Sequence, residues 1–379
     1  MLGQTTLLAE GLWFVQGEMP ENVDDAPDWC NVVIYRNADR LYLVDSSGGT
    51  AMRDSIERVL REVGPVRSAT LVNTHAHLDH ICNNDLIGQV PAAERHHYLG
   101  RGGTTADALD APRYFAAQFD QMDTYADPFT SYPVHRGTYR LAGWIRDGLG
   151  LVVGRRRVLG WLFGLQFKKF RPVRDSRPTM EALDEADLRS FDLAGRSWPG
   201  WSLGEGEVLL LQARAHCDHD VLVYLPEHRL LCMGDVTFPI FPTWADSDRN
   251  RILACLRLAL AMTRSGEVSV LADGHGGRCY RGRAEIEPLL ESILADHESF
   301  ERVLTETLAQ TDGLTPAEVY ARFCDRVEEP VVGRYRALEF PRTPVSLQNV
   351  IVTTLLQLGY DARGPRRHKR FYRTSSSSI

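Results

Sequence analysis

The stretch NTHAHLDH, residues 73–80, limits what this chain can fold into more than any other segment. It sets His75, His77, Asp79 and His80 directly behind the apolar run SATLV (68–72), which reads as a buried strand. An apolar run that delivers a polar ligand recurs three more times: VLLLQARAH ends on His216, RLLCMGD on Asp235 and VSVLADGH on His275. Strands lying side by side would bring these residues to one sheet edge, where open α/β architectures collect their functional groups.

The segments around these runs support a layered α/β class. GLWFVQG (11–17), VVIYR (32–36) and LYLVDSS (41–47) read as strands, the last two joined by the turn NADR. GTAMRDSIERVLREVG (49–64) carries Met52, Ile56, Val59, Leu60 and Val63 at helical spacing and stops at Gly64. A further helix is expected over 247–263, with Ser247 as its N-cap. Between about 95 and 200 the strand–helix rhythm fades, and this part reads as a helical insertion. After Arg283 the strand signals stop. Helices are expected over 284–310, from Thr315 and Pro316 onward, and over 346–358, followed by the basic stretch DARGPRRHKRFYR. The expected division is therefore 1–283 as the main domain, 284–373 as a small, mainly helical one, and TSSSSI (374–379) as a disordered tail.

The residue types have a chemical rationale. Imidazole and carboxylate suit a borderline divalent ion such as zinc. In extended chain His75 and His77 project to the same side and can share one ion. Asp79 and His80 follow as the chain turns and can reach a second, and the Asp235 carboxylate can bridge the two. A pair of ions about 3.5–4 Å apart yields a hydroxide at neutral pH and polarises the scissile group.

His75-x-His77-x-Asp79-His80 followed by His216, Asp235 and His275 resembles the metallo-β-lactamase superfamily in order and in strand context, over roughly residues 11–280. The resemblance implies an αββα sandwich. It also implies His75, His77 and His216 on one metal, Asp79, His80 and His275 on the other, Asp235 between them, and Asp45 behind a ligand histidine, orienting it. The C-terminal region is similar to the winged-helix-like tail of one branch of that superfamily. Two diiron types in the superfamily place a carboxylate between the first two histidines or a Glu at the third; Ala76 and His216 stand there instead. The expected cofactor is therefore two Zn2+, with iron or manganese as alternatives. His96, His97, His135, His228, His297 and His368 are read as surface or structural.

The substrate is less constrained, since the fold supports many hydrolyses. Relatives with thioester or lactone activity often carry a Gly-His-Thr/Ser-Pro-Gly stretch at the third ligand; here the sequence is AHCDHD (215–220). His219 or Asp218 then contacts substrate or shuttles a proton, or the turn is merely shaped differently with both side chains solvated. Asp79, Asp235 and His219 are the candidate catalytic residues. Trp144, Trp161, Phe163 and Tyr280 are candidate pocket walls, and the arginines near the insertion's aromatics could bind anionic groups. Together these suggest hydrolysis of an acyl thioester carried on CoA or a carrier protein. A lactonase and a diiron oxidoreductase stay open, and so does an endoribonuclease. For the last, residues 361–373 supply six cations against Asp361. A net charge of −7 argues against a chain basic throughout. Seven scattered cysteines without a CxxC pair, no secretory signal and no apolar run near the roughly 20 residues of a membrane span suggest a cytoplasmic protein. A homodimer is compatible with all of this.

Overall fold

The computed structural model describes residues 2–18, 29–103, 105–108, 111–125, 136–167, 179–237, 245–276, 279–309, 311–337 and 347–373. Its strands are β1 (Thr5–Ala9), β2 (Leu12–Val15), β3 (Val32–Asn37), β4 (Arg40–Val44), β5 (Val66–Asn73), β6 (Ala92–Leu99), β7 (Glu181–Ala182), β8 (Arg189–Leu193), β9 (Arg196–Leu203), β10 (Val208–Gln212), β11 (Val221–Leu225), β12 (Leu230–Cys232), β13 (Val270–Ala272), β14 (Cys279–Arg281), β15 (Asp361–Arg363) and β16 (Arg370–Tyr372). The helices are α1 (Gly49–Val63), α2 (Leu78–Ile81), α3 (Thr105–Ala108), α4 (Ala111–Met122), α5 (Arg136–Val153), α6 (Arg155–Phe167), α7 (Arg249–Ser265), α8 (Arg283–Ala309), α9 (Pro316–Cys324), α10 (Pro330–Ala337) and α11 (Leu347–Gln357). Among the described residues no helix is long and apolar enough to cross a membrane.

The chain forms two compact units, Met1–Ala111 with Leu165–Phe238 and Asn250–Glu291, and Pro112–Gly164 with Pro239–Arg249 and Ser292–Ile379. In the first, β1 to β7 form one sheet in sequence order and β14 to β8 form the second. Pairing is antiparallel from β1 to β4 and parallel from β4 to β7, so α1 is the crossover between parallel neighbours β4 and β5. The period-2 alternation of β3 explains the layering. Val33 and Tyr35 join Phe14, Val44, Leu210, Val223 and Leu230 in a core made by both sheets. Val32 and Ile34 face the other way, onto Met52, Ile56, Val59, Leu60 and Val63 of α1. These are the residues whose spacing announced the helix. In the second sheet only β12 and β13 are parallel neighbours. The stretch read as a helical insertion keeps strands at both ends, β6 on one side and β7, β8 and β9 on the other. Their sequences, such as ERHHY and RSFDL, carry too many polar residues to announce strands, because sheet-edge positions are half exposed.

The second unit packs α9, α10 and α11, the later part of α8 and the β15–β16 hairpin around Phe300, Val303, Leu304, Phe323, Tyr335, Ile351 and Phe371. Phe300 stacks on Tyr335 with ring centroids 4.3 Å apart. α9 starts as its sequence indicates: Thr315 Oγ1 accepts the Glu318 amide and the Glu318 carboxylate accepts the Thr315 amide at 2.7 Å. The helices of 112–164 group with this unit, so the compact pieces do not follow a single cut at residue 283. The tail 374–379 lies outside the described residues.

Candidate metal centre

Four strand ends build the site. β5 is buried from Ala69 to Asn73 and runs out into Thr74–His77 before the short helix α2 turns Asp79 and His80 inward. His216 follows β10, Asp235 follows β12 and His275 follows β13. Backbone bonds tie these exits together: Val221 N–H donates to Thr74 O at 2.9 Å, Gly274 N–H to Gly234 O at 2.8 Å, and Asn31 N–H to Gly274 O at 2.7 Å. No side chain fits at Gly274, where a Cβ would lie 2.4 Å from Asp235 Oδ1.

The side chains fall into two groups that share one carboxylate. In the first, His77 Nδ1 lies 3.2 Å from His216 Nε2, and His75 Nε2 and His216 Nε2 lie 3.5 and 3.7 Å from Asp235 Oδ2. In the second, His275 Nε2 lies 3.0 Å from Asp79 Oδ2, His80 Nε2 is 3.4 Å from both, and Asp235 Oδ1 stands 3.2 and 3.3 Å from His80 and His275. Donors bound at about 2.0–2.1 Å around one tetrahedral ion sit roughly 3.3 Å apart, so both groups have the spacing of a ligand shell. His75 Nε2 and Asp235 Oδ1 are buried with no hydrogen-bond partner among the described residues. Such orphans are costly unless something fills the space between them, and a divalent cation fits. Burial holds His75 and His77 well below the usual imidazole range and His216 down to about 4, which leaves neutral rings with lone pairs to offer. Burial opposes ionisation of Asp235, but His275 and His80 outweigh it and hold the carboxyl well below its ordinary range.

A layer of polar residues locks these candidate ligands in place. Asp45 accepts the Thr74 amide and hydroxyl, both at 2.8 Å, and its Oδ2 lies 2.9 Å from His80 Nδ1. A proton on Nδ1 leaves His80 Nε2 to face the second group. Asp45 does this from φ +58°, a strained backbone for a residue other than glycine. The His80 carbonyl accepts from Ser46 N–H, Ser46 Oγ and Asn73 Nδ2, while Asn84 and His97 close the buried network behind them. Asn31 donates to the Asp273 carbonyl and carboxylate at 2.9 Å each and to the His275 carbonyl at 3.3 Å. Sequence reasoning missed Asn31, Thr74 and the Asn73–Asn84 pair. The only signal was amide and hydroxyl residues at apolar strand ends.

Other candidates fall elsewhere. His219 is fully buried, and its Nε2 accepts the Ala76 amide at 3.3 Å, between the two ligand histidines. It therefore shapes the strand exit, and a solvated turn is ruled out. Tyr280 is half-buried on β14. Trp144 and Trp161 are 78% and 56% exposed among the described residues. The physical reason is that the α5–α6 helices turn an apolar stripe outward, including Leu151 at 90% exposure. Phe163 lies on α6, with its side chain outside the described set.

Comparison with known proteins follows the same line. Residues 26–163 match the model of the metallo-beta-lactamase superfamily. A metallo-beta-lactamase family protein from Thermus thermophilus is similar in structure, with TM-score 0.52 at 20% identity over 97% of this chain and 100% of that one. A beta-lactamase domain protein from Burkholderia ambifaria gives 0.57 at 14% identity, over 98% and 94%. A double mutant of the sec-alkyl sulfatase PisA1 gives 0.50 at 13% identity, over 94% of this chain and 50% of that one. At these identities the structural likeness speaks for the fold alone. No curated protein matches the sequence. The sequence match over 26–163, the sandwich and the His/Asp clusters all agree with the metallo-beta-lactamase superfamily.

Proposed function

We propose that the chain is a dinuclear zinc hydrolase that cleaves an ester-type bond, with an acyl thioester on CoA or a carrier protein as its substrate class. The observation that carries the dinuclear reading is Asp235, whose Oδ2 turns to the His75/His216 side and whose Oδ1 turns to His80 and His275. In this reading His75, His77 and His216 hold one ion, Asp79, His80 and His275 hold the other, and Asp235 joins them. Ions bound there would activate water at neutral pH and polarise the scissile group. The protein's own part is orientation: Asp45 sets the His80 ring, Asn31 the turn carrying His275, and His219 the chain between His75 and His77. Asp79, 21% exposed, is the most open of the seven, which supports a role for it in exchanging a proton with the leaving group. The thioester preference rests on the mix of apolar and arginine residues in 139–174. The exposed Trp144, Leu151 and Trp161 would then pack in a homodimer.

The ribonuclease alternative is disfavoured by the state of the basic hairpin. Arg363 pairs with Asp361, Arg366 with Asp120 and Asp123, Arg367 with Asp123 and Asp147, and Arg370 with Glu318. Cations already neutralised contribute little to phosphate binding.

The test is metal content together with a panel of acyl thioesters, lactones, sulfate esters and phosphodiesters, assayed on the wild type and Asp235→Ala. Two zincs per chain, thioester turnover, and at least a roughly 100-fold loss in Asp235→Ala are expected. Turnover that survived the loss of Asp235 would end the two-metal reading. Turnover confined to another ester class would end the thioester assignment.

A further inference from the structure

Cys217 follows the ligand His216 directly and has no role in the two-metal reading. Its side chain is fully buried, and its Sγ lies 3.3 Å from Nε2 of His77. The opposite ring nitrogen of His77, Nδ1, is the one turned toward His216. A ring nitrogen that binds a cation must present its lone pair, so the other nitrogen carries the proton and needs an acceptor. Histidines on metals commonly give that proton to an oxygen, as the His80–Asp45 pair illustrates here. At His77 the atom in this place is sulfur.

We propose that Cys217 is the positioning residue of His77, its sulfur accepting the Nε2 proton and so reserving Nδ1 for the ion shared with His75 and His216. The sulfur is held in place from three directions. Cys217 N–H donates to Asp220 Oδ2 at 2.8 Å, and Asp220 N–H donates back to Cys217 O at 3.3 Å. Val221 N–H anchors the far end of the turn on Thr74 O. The chain after β6 closes over the turn so tightly that a Cβ on Gly100 would come within 2.1 Å of His219 O. The turn thus has little freedom to carry the sulfur away from the His77 ring. Sulfur is a weak, polarisable acceptor, so it orients the ring without adding the negative charge that a carboxylate would bring. This accounts chemically for the departure of CDHD from the usual turn: it supplies one acceptor for a ligand ring in Cys217 and one brace for the strand exit in His219.

The inference rests on the two-metal reading, and cobalt(II) separates the two. Metal-free wild type, Cys217→Ser and Cys217→Ala are titrated with Co2+ while the visible and near-ultraviolet spectra are recorded, and affinities are taken from chelator competition. Wild type should bind two cobalts without a sulfur-to-cobalt charge-transfer band. Cys217→Ala should weaken one of the two sites by about 10–100-fold and change its ligand-field spectrum, leaving the other untouched. Cys217→Ser, whose hydroxyl can still accept, should bind within a few fold of wild type, which separates loss of the acceptor from loss of packing. A charge-transfer band in the wild type would overturn the proposal by placing the sulfur on the ion itself. So would a Cys217→Ala protein with wild-type affinities and spectrum. Wild type that took up a single cobalt would instead overturn the two-metal reading, while the Cys217 variants would still report on the site that His77 joins.

Discussion

Asp45 shows how much one residue can organise. Its two oxygens take the Thr74 amide, the Thr74 hydroxyl and the His80 ring nitrogen, all within 2.9 Å. An amide in its place can accept through only one atom and would turn a donor toward a donor. Asp45→Asn is therefore expected to lower metal affinity at the His80 side by about 10–100-fold, read by chelator competition, while the melting temperature of the metal-free protein changes less than in Asp45→Ala. His97 offers a different test. Burial pushes its imidazole down to about 4, and Asn73 and Thr179 flank it. Between pH about 6.5 and 4 the unfolded chain binds the proton that the folded one refuses, so the stabilisation is complete above pH 6.5 and is lost as pH falls. Going from pH 7 to pH 5 should cost the metal-free protein about 2 kcal/mol from this residue. Denaturant unfolding at the two pH values should show a loss at least that large in the wild type and one smaller by about 2 kcal/mol in His97→Gln. A histidine read from sequence as surface or structural proves structural because its neighbours, 13 and 24 residues away, arrive through the fold.

At the scale of elements, the site depends on where strands stop. The apolar runs of β5, β10, β12 and β13 were legible because fully buried strands contain little else. The flanking strands β6, β8 and β9 were hidden by their polar positions, which led the whole of 95–200 to read as an insertion. The turn after β13 is equally dependent on backbone, since Gly274 sits against Gly234 and the Asp235 carboxylate. Gly274→Ala is expected to push Asp235 off its shared position. It should lower stability by about 1–3 kcal/mol and reduce the metal retained after dialysis, measured by elemental analysis. Retention of full metal content would show that the Asp235 carboxylate tolerates displacement.

For the whole molecule, charge is the property that sequence sums misjudge. The segments 139–174 and 361–373 look basic when counted alone, yet Arg155, Arg366 and Arg367 converge on Asp123, whose side chain is only 2% exposed. They form an ionic knot inside one compact unit. Arg367→Ala removes bonds to both Asp123 and Asp147, while Arg155 and Arg366 still attend Asp123. A loss of about 2 kcal/mol in urea unfolding is expected, with hydrolytic turnover at the metal centre unchanged. A drop in turnover without a loss of stability would assign the cluster to function instead. The sequence by itself determined the α/β class and the types and order of the candidate ligand residues, because buried strands and clustered His and Asp side chains are written in local composition. Tertiary structure decided the partners: Asn31 for the His275 turn, Asp45 for His80, Cys217 for His77, and aspartates for the hairpin arginines. Such contacts join residues up to 244 positions apart, and chain order carries no information about distances that only packing creates.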